Sequence, residues 1–266
     1  MSNWKDLSPE VAKELSEAFA GEGVQLPFPA PVFWVINGIA SLKAIGDAPF
    51  YGGWGANPDD VEQAAAVAGI EVPSVLKPMR LANREGDEYD ALVSRSLMAA
   101  PIATRHRWNE NRSHTQILAY MATKNGKEYS PWGPVVLSAK GYQARNIRQA
   151  FADWERATTP TRRDHAPGIP AWCFFAVIGT FGEERKTVMV GKGQQSPITP
   201  IGAWIPEIMS KTHLEKTFVG KDVAERMVEL KKQASEWLAE WKKPVADTAD
   251  PGEPSHEDGW DDQIPF

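Results

Sequence analysis

The sequence predicts an α+β fold: a small barrel of short strands with one helix set among them, followed by a long C-terminal helix. Three observations predict it. From about Glu71 to Thr123 the chain runs in short β-like stretches separated by turn residues. A helical pattern replaces them from Ser138 to Arg156, and two further β-like stretches follow. From Lys221 to Trp241, the residues Val223, Met227, Leu230, Ala234, Trp237 and Trp241 recur in steps of four and three, which lines one side of a helix.

Taken in order, Pro9–Ala20 reads as a helix that Ser8 caps and Gly21 and Gly23 end, with Val11, Leu15, Ala18 and Phe19 on its apolar side. After Pro27, Pro29 and Pro31, the continuous apolar run Val32–Ile36 reads as a buried strand. Phe50-Tyr51-Gly52-Gly53-Trp54-Gly55 is an aromatic, glycine-rich loop, either a stacking platform or a turn packed on the barrel. Asn57, Pro58, Asp59 and Asp60 supply the cap, first-turn proline and acidic start of a short helix that Gly69 ends. Candidate strands are Val72–Leu81, Ala91–Ala100 and His114–Thr123. In the Ser138–Arg156 helix, Tyr142, Ile147, Ala150, Phe151 and Trp154 form the apolar side, with Lys140, Arg145, Arg148 and Arg156 on or near the opposite one. Strands Ala171–Phe181 and Arg185–Val190 follow. Gly191-Lys192-Gly193 lacks the spacing of a phosphate-binding loop and reads as a hairpin turn.

Three strands, a helix and two strands is the order of an OB-fold. A different α+β sheet gives the same run of patterns, so barrel closure stays open at this level. The expected organisation is an N-terminal extension over residues 1–70, an OB-fold-like β-barrel over 71–195, a helical segment over 196–243 and a disordered acidic tail over 244–266. The last helix is expected to pack on its own domain, with the seam of a homo-oligomer as the alternative.

Charge divides the chain unevenly. It holds 29 basic and 35 acidic residues among 266, for a net charge of -6. Seven of the acids, Asp247, Asp250, Glu253, Glu257, Asp258, Asp261 and Asp262, fall in the last twenty residues, which contain no Lys or Arg. The rest carries 29 basic against 28 acidic residues, so the acidity that would repel nucleic acid belongs to the tail alone. The single cysteine, Cys173, lies in an apolar run and reads as a buried small hydrophobe. One thiol builds no disulfide framework, which suits a reducing cytosol. No secretory h-region follows Met1, and no apolar run approaches the ~20 residues that span a bilayer, so no membrane association is expected.

Between Ile102 and Arg163 the body holds eleven basic residues and four acidic ones. Aromatic residues are interleaved with them. Single-stranded nucleic acid needs this pairing, with cations along the phosphates and ring faces for unstacked bases. The candidate DNA-binding residues are Arg105, Arg107, Trp108, Arg112, Tyr120, Lys124, Lys127, Tyr129, Trp132, Lys140, Arg145 and Arg148. A solvated charged face over core aromatics is the competing reading.

The tail ends Asp261-Asp262-Gln263-Ile264-Pro265-Phe266. An acidic arm too charged to fold alone, with an apolar tip stiffened by proline, suits docking: Phe266 fills a small pocket and its carboxylate pairs with a cation at the mouth. This tip resembles the C-terminal peptide of bacterial single-stranded-DNA-binding proteins, with Gln263 in place of a third Asp. The resemblance covers six residues. The body does not share that family's layout, and a divergent, phage-encoded version is the nearer comparison. It implies that Asp261, Asp262, Ile264, Pro265 and Phe266 bind replication and repair proteins.

The expected function is sequence-independent binding and protection of single-stranded DNA in replication, recombination and repair, in the bacterial cytosol or nucleoid. The alternative is a strand-annealing or loading accessory protein that carries the same tip. No P-loop, zinc-ligand spacing or nucleophile elbow appears, and His106, His114, His165, His213 and His256 are scattered. No catalytic residue, metal or cofactor is therefore assigned.

Overall fold

The apolar run after the prolines forms strand β1 (Val32–Asn37), and the glycine-rich stretch that follows forms β2 (Gly52–Ala56). The computed structural model describes residues 25–37, 52–82, 88–109, 112–125, 128–181, 186–190 and 194–241. The expected helix Pro9–Ala20, the residues Phe50 and Tyr51, and the acidic tail lie outside them. Helix α1 (Pro58–Ala68) starts and stops as its sequence dictates: Asn57 Oδ1 accepts from the Asp59 amide at 3.0 Å, and Gly69 closes the end at φ 66°. Next come β3 (Lys77–Ala82), β4 (Glu88–Ser94), β5 (Ser96–Asn109), β6 (Arg112–Asn125) and β7 (Glu128–Lys140). Helix α2 (Tyr142–His165) follows, then a 3-10 turn at Ala171–Cys173 and strand β8 (Ala176–Gly179). The chain continues through β9 (Lys186–Val190), β10 (Gln194–Ile198), β11 (Gly202–Trp204), α3 (Lys211–Thr217), α4 (Lys221–Gln233) and α5 (Ser235–Glu240).

Nine strands make one sheet in the order β11-β8-β5-β6-β7-β1-β2-β4-β3, and β9 and β10 make a separate pair. All neighbours in the large sheet are antiparallel except β1, which runs parallel to β7. Only Arg95 parts β4 from β5. The ladder that leaves β5 through β6, β7, β1 and β2 therefore returns to the same strand at β4, and the sheet curls. Trp54 on β2 spans the curl, donating its indole N–H to the Ile178 carbonyl on β8 at 2.8 Å. Thr180 ties the same junction, from its amide to Arg95 O at 2.9 Å and from its hydroxyl to Gly52 O at 2.7 Å. Glycine is required there: a Cβ on Gly53 would overlap the Ser94 carbonyl oxygen, and one on Gly179 the Arg95 carbonyl oxygen.

Residues opposed across a ladder share a face. Phe33, Ala56, Leu92, Leu137 and Ile117 are so linked, with Trp54 on the same side, and all are buried on the inner face. Helix α2 covers this face. Pro101, opposite Ala119, lines one cavity with Phe151 and Trp154 of α2. Helices α4 and α5 cover the outer face of β5, where Met227, Leu230, Ala234 and Trp237 are buried. A smaller cluster, Ile36, Leu81, Ala91 and Val93, packs on the outer side of β1, β3 and β4.

Several elements differ from the sequence reading. The segment expected as an extension contributes β1 and β2 to the middle of the sheet, with β1 parallel to β7. Of the Val72–Leu81 strand only Lys77 onward is β. Ala91–Ala100 is bent at Arg95, and Ala171–Phe181 begins as a 3-10 turn. The helix begins at Tyr142 rather than Ser138, because Val135, Leu137 and Ala139 stay paired with β6 until Gly141 turns the chain at φ 58°. The long C-terminal helix is two helices, α4 and α5, meeting at Ala234.

Candidate nucleic-acid interface

Successive rows across β5, β6 and β7 carry the chemistry at one end of the sheet. Arg105 stands opposite Gln116, and Gln116 opposite Ser138. The next row is His106–Thr115–Ala139, then Arg107–His114–Lys140. The last is Trp108 opposite Ser113, whose carbonyl accepts the Gly141 amide at 2.6 Å. Side chains directly opposed lie about 5 Å apart, so Arg107, His114 and Lys140 form a ladder on the outer face with a cation at each end. None of the four rows contains a carboxylate.

Arg105 is not available to a ligand. Its side chain is 9% exposed, its Nε donates to Gln116 Oε1 at 2.9 Å, and its Nη1 donates to Trp237 O and Glu240 Oε2, each at 2.8 Å. The guanidinium also lies 3.7 Å from the Trp237 ring centroid and 4.2 Å from that of Trp241. Burial pushes its pKa down to about 10, partly offset by the bond to Glu240, and it stays charged at neutral pH. Arg105 therefore fastens α5 to the sheet. Arg107 is partly covered by the same helix end, 4.4 Å from the Trp241 ring centroid.

Three candidate aromatics are structural as well. Trp132 is buried and donates to Glu71 O at 3.1 Å. Tyr120 and Tyr129 are half-buried against the core, and burial raises the Tyr120 hydroxyl above its ordinary pKa. Trp54, the third ring of the glycine-rich loop, is fully buried, so it offers no platform. The side chains of Arg112 and Lys124, all of Lys127, and the tip residues Asp261, Asp262, Ile264, Pro265 and Phe266 lie outside the described residues.

The remaining candidates gather at the sheet end. Trp108 is 68% exposed, with the His106 ring edge-on at 6.3 Å between centroids. Lys140 and Arg145 are exposed, and Arg148 is half-buried on α2. The structure adds residues that the sequence reading had placed elsewhere. Tyr142, read as part of the helix's apolar side, is 39% exposed at the start of α2. Trp241, read as part of the apolar side of the last helix, sits with its ring centroid 4.8 Å from that of His114. His114 also bonds Ser138 Oγ at 3.0 Å. Burial, and then the charges of Lys140, Arg107, Arg105 and His106, push its pKa down to about 4, so it is neutral at physiological pH. The neutral ring spares the ladder a third like charge in its middle.

Chemically, this end combines fixed cations with one largely exposed indole and a partly exposed phenol. It can pair with phosphates and stack bases. No group of three or more potential metal ligands occurs among the described residues, nor any helix long and apolar enough to cross a membrane. No family model, curated protein or solved structure matches the chain.

Proposed function

We propose that this chain binds single-stranded DNA without reading its sequence and recruits replication and repair proteins through Asp261–Phe266. The observation that carries the DNA-binding half is the sheet end, where Trp108 and Tyr142 stand exposed, with Arg107 and Lys140 on the face opposite Trp108, Arg145 on the first turn of α2 and no carboxylate in the rows. Bases must leave a duplex before they stack on such rings, so the surface favours single strands. The curled sheet supports an OB-type barrel in this reading: the β4–β5 strand, β6 and β7 serve as the first three strands, with β1 parallel to the third. The recruiting half rests on the resemblance of the tip.

Titrating the Trp fluorescence with oligo-dT and with a duplex of equal length tests the proposal. Tight quenching by oligo-dT and much weaker binding of duplex is expected. Equal affinity for the two at moderate salt would sink it.

A further inference from the structure

We propose that one phosphate of the bound strand sits on the outer face over His114, between Arg107 and Lys140, and that Trp241 is the positioning residue that holds Arg107 for it; the choice of a strand as occupant rests on the function proposed above. Arg107 and Lys140 lie on the same face, on either side of His114, with their strands about 10 Å apart, two strand spacings. Both side chains are longer than the imidazole between them, so they can meet above it. Lys140 is exposed and makes no ion pair among the described residues. Arg107 is half-buried. Its Nε is enclosed, but its two terminal nitrogens are not, and none of the three has a hydrogen-bond or ion-pair partner among the described residues. Arg105, two residues earlier on the same face, is the contrast. It holds Gln116 Oε1, Trp237 O and Glu240 Oε2, so a guanidinium with a structural task on this face is fully bonded.

Arg107 is nevertheless held in place. Its guanidinium carbon lies 4.4 Å from the Trp241 ring centroid, a cation–π contact that fixes the side chain and uses none of its N–H donors. Trp241 is fixed in turn by Arg105 at 4.2 Å and by the His114 ring at 4.8 Å. A cation ordered before binding gives up little freedom when it pairs with a phosphate, and the free terminal nitrogens of an arginine suit phosphate oxygens. Trp108 follows Arg107 on β5 and faces the other way, so a strand that continues over the sheet end meets its exposed ring next. His114 reports on the seat. The groups that face it are Arg105, Arg107 and His106 of β5, Lys140 and Ser138 of β7, Trp241, and Glu240 of α5 through its pair with Arg105. A phosphate above the ring offsets the cations among them and so raises the His114 pKa from about 4.

The test uses the full chain. The double variant Arg107→Gln/Lys140→Gln breaks no hydrogen bond or ion pair between described residues, so its melting temperature should stay close to the parent's. Its affinity for oligo-dT should fall, most at low salt, and its log–log salt slope should drop by about 0.7, the share of one phosphate on a single strand. Trp241→Leu should weaken oligo-dT binding several-fold, and Trp241→Phe, which keeps a flat ring against Arg107, should restore most of it; melting curves check that both are folded. The local readout is an NMR pH titration of the His114 ring, assigned by its loss in His114→Gln. Its midpoint should rise by about one pH unit on adding oligo-dT, and by far less in the double variant. Tight oligo-dT binding with a parent-like slope in the double variant, or a His114 midpoint that oligo-dT does not move, overturns the seat and leaves the proposed function standing. A midpoint raised by inorganic phosphate in a chain that binds no oligo-dT upholds the anion seat and overturns the strand as its occupant. Equal losses in folded Trp241→Leu and Trp241→Phe overturn the positioning role of the ring.

Discussion

Trp108 and Arg105 lie three positions apart on β5, on opposite faces, and their exposures are 68% for the former and 9%, for its side chain, for the latter. A base stacked on an exposed ring is worth about 1–3 kcal/mol. Trp108→Ala should therefore weaken oligo-dT binding by roughly tenfold or more at every salt concentration, while leaving thermal stability near the parent's; fluorescence anisotropy with labelled oligo-dT and a melting curve check both. Unchanged binding would remove the ring from the interface. His114 makes a pH prediction. Its folded pKa, near 4, lies below the ordinary 6.5, so between those values the unfolded chain binds more protons than the folded one. Its contribution to stability is thus lost as pH falls from about 6.5 toward 4. His114→Gln should flatten that part of the melting-temperature profile, and a profile as steep as the parent's would contradict the assignment.

At the scale of elements, one buried cation adds to the packing of Met227, Leu230, Ala234 and Trp237 in tying the C-terminal helix pair to the sheet. Arg105 bonds Glu240 and lies against Trp237 and Trp241, so it joins β5 to α5 across more than 130 residues of chain. Removing one partner of a buried pair leaves the other charge uncompensated, a loss of about 3 kcal/mol. Arg105→Ala should lower urea stability by that order, and Arg105→Met with Glu240→Gln by clearly less. Equal losses would mean that packing, not charge, holds the helix. The β4–β5 junction gives a second expectation. Gly179→Ala forces a methyl against the Arg95 carbonyl, and overpacking of this kind destabilises by about 1–3 kcal/mol or more. The same urea titration reads it.

For the whole molecule, the described fold ends at Trp241, whose ring lies over Arg105, Arg107 and His114, and the acidic stretch begins six residues later. A short tether gives a charged arm an effective concentration of order mM at the surface it is joined to. On the proposed function, deleting Asp247–Phe266 should raise oligo-dT affinity at low salt, with the gain fading as salt rises. Phe266→Ala should leave DNA binding near normal and abolish binding to a replication protein such as an exonuclease. Parent-like partner binding by that variant would show the tip's resemblance to be accidental.

The sequence by itself determined the local features. Caps and glycines marked α1, the continuous apolar run Val32–Ile36 marked β1, and counting charges separated a near-neutral body from an acidic tail. The basic stretch was legible as composition, and so were Trp108, Lys140 and Arg145 as candidates. Only the tertiary structure decided which cations and rings are presented. Arg105 and Trp132 look like surface ligands in a list, but Glu240 and the Glu71 carbonyl claim them from 135 and 61 residues away. Likewise β1 and β2 sit at mid-sheet because ladder partners come from β7 and β4, distant in sequence. Hydrophobic period and capping are local and can be read along the chain. Register, burial and the unpaired Ser113 hydroxyl arise between segments, where the chain order carries no distance.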